Sequence, residues 1–589
     1  MRLDTIIHNA RIHTMAVDRA GRQAGDTPPA PEAVGIAGGR IVAFDDELEG
    51  SYAEAGEVID AAELTGSAGG GIGEGGRGGT GADGDDGADG DDGAGVPTVV
   101  PGFIDAHCHT TWFGLTLASV DVENLPGGLD EVYDRLAAAA AQLPDGEWVQ
   151  ATGYSHHDYA GSYPDIAVLD RITGGRPLFM RQVSGHSAIV NTAALAAAGM
   201  LEPGYTDPPG GKVVRDASGR PTGLVEETAQ TQVQDLIRPY SVETIVGALD
   251  LATAHYAKEG ITSFGEAGIA AGWIGHSPLE VYAYQQARRA GLLRARAQLM
   301  PVIDALHPVS GHAADSPELG LDLGMVTGFG DDEIRLGPVK IFMDGALSGR
   351  TAALSQPYAG QSDAGYLQDD PEVLRTQTLA AYRSGWSLAV HAIGDRAVDE
   401  AIANITAAVD ECGKPVFPNR IEHAGMIRTE QLSVLAEYGI AVTPQAAFFD
   451  NIGDGMLEAI GAERAHLLYR GRSFLDAGVT LAGSSDRPCA EGNVLRGMQL
   501  FMTRLTRSGR LSGPAHERLS AAEALAAYTS GAAAAMGMTG AHAGQAGRLV
   551  RGALADLVIL TGDPLTTAPE AVTQLDVQAT MRGGQWTHR

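Results

Sequence analysis

Short apolar runs, each of strand length and each broken by glycine or a polar residue, recur along the chain. Eight of them lie between residues 98 and 486: PGFIDAHCH (101–109), ITSFGEAG (261–268), RARAQLMPV (294–302), LGPVKIFMD (336–344), SLAVHAIG (387–394), NRIEHAG (419–425), IAVTPQ (440–445) and VTLAGSSD (479–486). Stretches with helical periodicity, such as PEVLRTQTLAAYRSG and RAVDEAIANITAAVDECG, separate them. Alternating β and α units predict an α/β fold, a closed parallel (β/α)8 TIM barrel over residues 98–114 and 241–539. The gap between the first two strands is too long for one crossover, so 115–240 is expected to be an inserted lobe over the barrel mouth. The Ala-rich LAAAAAQL (136–143) reads as a packed helix of that lobe.

Both ends of the chain have a different texture. DTIIHNARIHTM, AVGIAGGRIVAF and EVIDA, and later GRLVRGALADLVILTGD and VQATMRGGQWTH, are β-branched runs between turn residues. They predict one composite β-sandwich domain built from 1–65 and 540–589. Residues 66–97 are dominated by Gly and Asp, with GADGDD twice in tandem at 81–86 and 87–92. This segment reads as a disordered insert, because it has too little apolar surface to order itself. It lacks the spaced ligands and closing Glu of a calcium loop.

Charge narrows the partners. The 589 residues carry a net charge of −33, which disfavours phosphate backbones and anionic membrane surfaces, so neither nucleic acid nor membrane is expected as a partner. No apolar run is long enough to span a bilayer, and the first residues do not read as a signal peptide. The three cysteines, Cys108, Cys412 and Cys489, fit a reducing compartment, and the expected location is cytoplasmic. Association into a homo-oligomer stays open.

The chemistry gathers at strand ends. His107 and His109 are two apart on one strand and can point the same way, into the mouth where such barrels hold their active sites. Two imidazoles at that spacing can ligate one metal. His391 ends the fifth run, His423 the sixth and Asp486 the eighth; Lys340 lies in the fourth. Only four of the 41 basic residues are lysine, so a lysine among Val339, Ile341 and Phe342 stands out. Burial favours its neutral amine, which can add CO₂ to become a carbamate, whereas Arg stays charged. The plainer alternative is a buried lysine paired to Asp344 or Asp486. Asp395 reads as a helix N-cap.

PGFIDAHCH, VKIFMDG, LAVHAIGDRAVDEAI, RIEHAG, GSSDRP and GALADLVIL resemble the amidohydrolase superfamily. SGHSAIVNTAAL (184–195), GRPTGLVEE (219–227) and DGALSGRTAAL (344–354) resemble its amidohydrolase 3, YtcJ-like branch, which includes N-substituted formamide deformylase. The resemblance implies two Zn²⁺ per chain. His107 and His109 would hold the first, with Asp486 completing its shell, and His391 and His423 the second. A carbamylated Lys340 would bridge them. It further implies a metal-activated hydroxide, with Asp486 as general base and acid, cleaving a small-molecule amide or N-formyl group at a non-peptide C–N bond. His186 and Arg350 are candidate substrate-binding residues. The alternatives are a mononuclear deaminase or cyclic-amide hydrolase, and a non-catalytic barrel that binds without turnover.

Overall fold

The computed structural model describes residues 2–16, 30–66, 96–156, 159–182, 187–208, 211–312, 317–540 and 545–589. The Gly/Asp-rich segment, apart from its two ends, and His186 lie outside the described residues. The chain forms two compact units, one of Met1–His109, Thr253–Gly272 and Leu293–Arg589, the other of Thr110–Ala252 and Trp273–Leu292.

In the larger unit the two ends of the chain share a sheet. Strand Thr98–Pro101 runs antiparallel to Leu557–Leu560, with Val99 opposite Ile559, and Arg11–Ile12, Val577–Arg582 and Gln585–His588 complete five strands. A second sheet of four strands holds Thr5–His8, Val34–Ala37, Arg40–Phe44 and Glu57–Asp60. Ile7, Ile36, Ile41, Val99, Leu557 and Ile559 pack together out of water, as the alternating pattern requires.

The same unit contains two four-stranded parallel sheets. The first orders Phe103–Cys108, Ile261–Ile269, Arg296–Pro301 and Ile334–Leu336; the second orders Val339–Phe342, Leu388–Ala392, Arg420–His423 and Ala441–Thr443. All six residues of Phe103–Cys108 and all nine of Ile261–Ile269 are buried, as expected for parallel strands covered on both faces. The single run expected at 336–344 is two strands. Gly337 and Pro338 interrupt it, and proline has no N–H for the ladder. A parallel bridge from Val302 to Lys340 links the two sheets across this break.

The run 479–486 is not a regular strand. It makes isolated parallel bridges, Val442 to Leu481 and Gln445 to Ser484, and is tied to the first strand by Ala106 N to Gly483 O (3.2 Å) and Asp486 N to His107 O (2.8 Å). Its serines explain the difference. The Ser484 hydroxyl donates to the Thr443 carbonyl (3.0 Å), and the Ser485 hydroxyl and amide donate to Asp105. Side chains thus take up hydrogen bonds that a ladder would otherwise make.

Helix Asp395–Cys412 buries Ala397, Val398, Ala401, Ile402, Ile405, Ala408 and Val409, one apolar stripe at helical spacing. Asp395 is not its N-cap: Gly394 holds that position. The Asp395 carboxylate instead accepts from the Ser355 amide (2.9 Å) and Arg428 (3.2 Å), tying loop to helix.

The smaller unit contains a six-stranded mixed sheet, Val120–Asp121 through Pro221–Glu227, for which no strands were expected. Its strands are short and weakly alternating. The Ala-rich run does form a helix, Gly128–Gln142, with Val132, Leu136 and Ala140 buried. No helix among the described residues is long and apolar enough to cross a membrane.

Candidate metal centre

The C-terminal ends of the parallel strands bring four imidazoles into a row. The rings of His109 and His107 are 5.5 Å apart, those of His107 and His423 4.9 Å, and those of His423 and His391 4.4 Å. Asp486 Oδ1 lies 3.3 Å from His107 Nε2 and 3.0 Å from His109 Nε2. Ligand-capable atoms of His107, His423 and Asp486 are all within 4.8 Å of one another. Lys340 Nζ sits 4.8 Å from the Phe342 ring centroid, and that ring is 5.4 Å from His391. Six side chains from distant segments therefore share one buried neighbourhood.

Each of three rings is held by one nitrogen, which leaves the other for a ligand. His107 Nδ1 bonds Glu422, whose carboxylate also accepts from Arg420 (2.7 and 3.0 Å) and Thr443 (3.1 Å). His423 Nδ1 is 2.7 Å from Gln445 Oε1, and Gln445 is fixed in turn by Thr443 O (2.7 Å) and Ser484 Oγ (2.9 Å). His391 Nε2 is 3.2 Å from the Gly345 carbonyl and 3.4 Å from Asp344. Acceptors at these positions select neutral tautomers with His107 Nε2, His423 Nε2 and His391 Nδ1 bare, the form a metal needs.

For His423 the electrostatics agrees. Burial lowers the His109 pKa to about 4, and burial together with the neighbouring His391 holds His423 well below the usual imidazole range. Burial opposes ionisation of Asp486, but the facing His107 and His109 imidazoles more than offset it and hold its pKa well below the usual carboxylate range. Burial also brings Lys340 down to about 8 against the pull of Glu422 and Asp486.

The donor set fits a divalent cation. Lys340 Nζ and His107 Nε2 are buried with no hydrogen-bond partner, a costly arrangement that a metal, or a carbamate on the lysine, would relieve. Lys340 is not paired to Asp344: that carboxylate accepts the amides of Ala353 (3.0 Å), Ile393 (3.0 Å) and Gly394 (2.8 Å).

Backbone strain helps to aim two of these side chains. His423 (φ 70°) and Asp486 (φ 57°) both adopt left-handed conformations that non-glycine residues rarely take. His423 thereby escapes strand alternation, which would have set it on the face opposite Glu422.

Sequence reasoning missed Glu422, Arg420 and Gln445, and named Asp344 only as a possible partner of Lys340. A signal existed for the first two: Arg420 and Glu422 are charged residues two apart within a buried strand. Arg350 adopts φ 55° in a turn, with its amide bonded to Leu347 O (3.1 Å), and none of its described contacts joins it to the cluster.

A family model, the Amidohydrolase family, matches residues 97–588. The chain is 29% identical to YtcJ of Bacillus subtilis (strain 168) over 82% of its own length and 88% of that protein. It is 27% identical to the N-substituted formamide deformylase of Arthrobacter pascens over 99% and 97% of the two chains. Among solved structures, an uncharacterized metal-dependent hydrolase from Pyrococcus horikoshii superposes with a TM-score of 0.72 at 23% identity, over 96% of this chain and 99% of that one. A fold of parallel strands carrying a histidine and carboxylate cluster thus coincides with the fold of a metal-dependent hydrolase. The chain belongs to the amidohydrolase family, and it is a hydrolase.

Proposed function

We propose that this enzyme is a metal-dependent amidohydrolase that cleaves a non-peptide C–N bond, an amide or N-formyl group, in a small molecule. The observation that carries the reading is the convergence of His107, His423 and Asp486 beside a buried lysine amine that has no hydrogen-bond partner. The two parallel sheets, bridged at Val302–Lys340 and joined on the other side through the 479–486 run (Val442–Leu481 and Ala106 N to Gly483 O), support a closed (β/α)8 barrel. His107, His109 and Asp486 would hold one ion, His391 and His423 a second, and Lys340 as carbamate would bridge them. The His and carboxylate set suits zinc.

When bound, the metal supplies Lewis acidity at the substrate carbonyl and brings the pKa of water towards about 7. Asp486 accepts the proton of the attacking water as its oxygen adds to the carbonyl carbon. The same carboxyl then delivers that proton to the nitrogen as the C–N bond breaks, and a carboxylic acid and an amine leave. Glu422, Gln445 and Gly345 keep His107, His423 and His391 in their tautomers throughout. A net charge of −33 favours neutral or cationic substrates over polyanions.

A mononuclear centre is the second reading, favoured by the tight grouping of three ligand-capable residues among the described ones. Elemental analysis of purified protein, coupled to a screen of N-formyl and N-acyl amines, tests both. About two equivalents of metal with amide turnover are expected; one equivalent with full turnover supports the mononuclear centre. Asp486→Asn is expected to cut kcat by about 10²-fold or more while most metal stays bound. Full activity in that variant, or turnover that survives complete chelation, overturns the proposal.

A further inference from the structure

Asp105 and Ser485 are both buried, and they join the two segments that carry His107, His109 and Asp486. Asp105 stands two residues before His107, and Ser485 stands one before Asp486. Asp105 Oδ1 accepts the amides of Ser485 (3.0 Å) and His107 (3.3 Å), and its Oδ2 accepts the Ser485 hydroxyl. The Ser485 oxygen in turn accepts the amide of Arg487 (3.0 Å). One carboxylate and one hydroxyl thus engage the chain on both sides of Asp486.

This segment has no regular ladder to hold it. Its backbone is tied to the first barrel strand by Ala106 N to Gly483 O (3.2 Å), Asp486 N to His107 O (2.8 Å) and His109 N to Arg487 O (2.8 Å). Asp486 nevertheless adopts φ 57°, a conformation that a residue with a Cβ keeps only where its surroundings over-determine it. The Asp105–Ser485 clasp fixes the residue before Asp486. The Arg487 guanidinium, bonded to Glu259 at 2.7 and 3.0 Å, fixes the residue after it. The Asp486 carboxylate is thereby presented 3.0 Å from His109 and 3.3 Å from His107.

We propose that Asp105 and Ser485 are positioning residues of the metal centre, a role that rests on the reading of Asp486 as metal ligand and proton carrier: their clasp holds the left-handed turn at Asp486 and so aims its carboxylate between the two imidazoles. Asp105→Asn puts a donor where the Ser485 hydroxyl needs an acceptor, and Ser485→Ala removes the hydroxyl, so either change opens the clasp.

Chelator competition for zinc, run on the full-length protein, on both single variants and on the double variant, tests this, with thermal melts of the metal-free proteins alongside. Each single variant is expected to bind zinc about tenfold more weakly. The double variant is expected to bind no more weakly than the worse single one, because both substitutions open the same clasp. A clasp that serves folding alone would lower the metal-free melt and leave zinc affinity at the parental value; that result overturns the proposal, as does additive loss in the double variant. On an amide substrate, each single variant is expected to lose about tenfold or more in kcat at little-changed KM. Asp105→Asn is expected to cost nothing further in an Asp486→Asn background, and a further loss there overturns the proposal. Zinc affinity is read without turnover, so failure of the clasp is distinguishable from failure of the hydrolytic reading.

Discussion

His107 and Glu422 stand 315 positions apart in sequence and share a hydrogen bond between side chains that are almost wholly out of water. Glu422 is in turn gripped by Arg420, so the imidazole is oriented by a buried charged pair whose members are both fully enclosed. Glu422→Gln keeps the shape but removes the charge that balances Arg420. Metal affinity is expected to fall by about 10- to 100-fold, as for other outer partners of ligating histidines. Stability is expected to fall by about 3 kcal/mol, because an uncompensated guanidinium stays buried. Elemental analysis and thermal melts check both; unchanged metal content would remove Glu422 from the orienting role.

Lys340 offers a contrast between stability and function. Its amine is buried without a hydrogen-bond partner, so Lys340→Met removes a desolvation cost while keeping most of the volume. Metal-free Lys340→Met is expected to melt at or above the temperature of the metal-free parent, yet to retain less metal and little activity. Adding bicarbonate during metal loading is expected to raise metal content in the parent and not in the variant. A variant that loads metal like the parent would separate the lysine from the centre.

Acid stability has a local source in the larger unit. Burial opposes ionisation of Asp563, but its bonds with His13 (2.9 Å) and Arg11 (2.9 Å) more than offset this and lower its pKa from 3.8 to about 2. A depressed folded-state pKa contributes stability above the unfolded value and loses it as pH falls through the folded one. The stability advantage of the parent over Asp563→Asn is therefore expected to be full above about pH 4 and to fade towards pH 2. Denaturant unfolding at stepped pH measures it; a difference that does not vary with pH would point to packing alone.

Gly114 sits in helix Thr110–Ala118, where an added Cβ would meet the Ala248 carbonyl oxygen at 2.0 Å. Only glycine allows that approach. Gly114→Ala is expected to destabilise by about 1–3 kcal/mol despite its better helix propensity. A melt at or above that of the parent would show that the helix can shift at no cost.

The sequence by itself determined the alternation of strands and helices, because periodicity records which face each element must bury. It also singled out His107, His109, Lys340, His391, His423 and Asp486 as candidates, because histidines and a lysine in apolar runs are anomalous wherever they fold. Tertiary structure alone decided how these residues are held. The Glu422 carboxylate on His107 joins segments 315 residues apart, the Gln445 amide oxygen on His423 joins neighbouring strands, and no local pattern encodes either contact or the left-handed backbone at His423 and Asp486. The same holds for the run at 479–486. Its apolar pattern reads as a strand, but serine hydroxyls compete for the ladder once Thr443 and Asp105 are brought alongside. Pairing of strand Thr98–Pro101 with Leu557–Leu560 also required the fold, since a strand's sequence states that it needs a partner and leaves open which one.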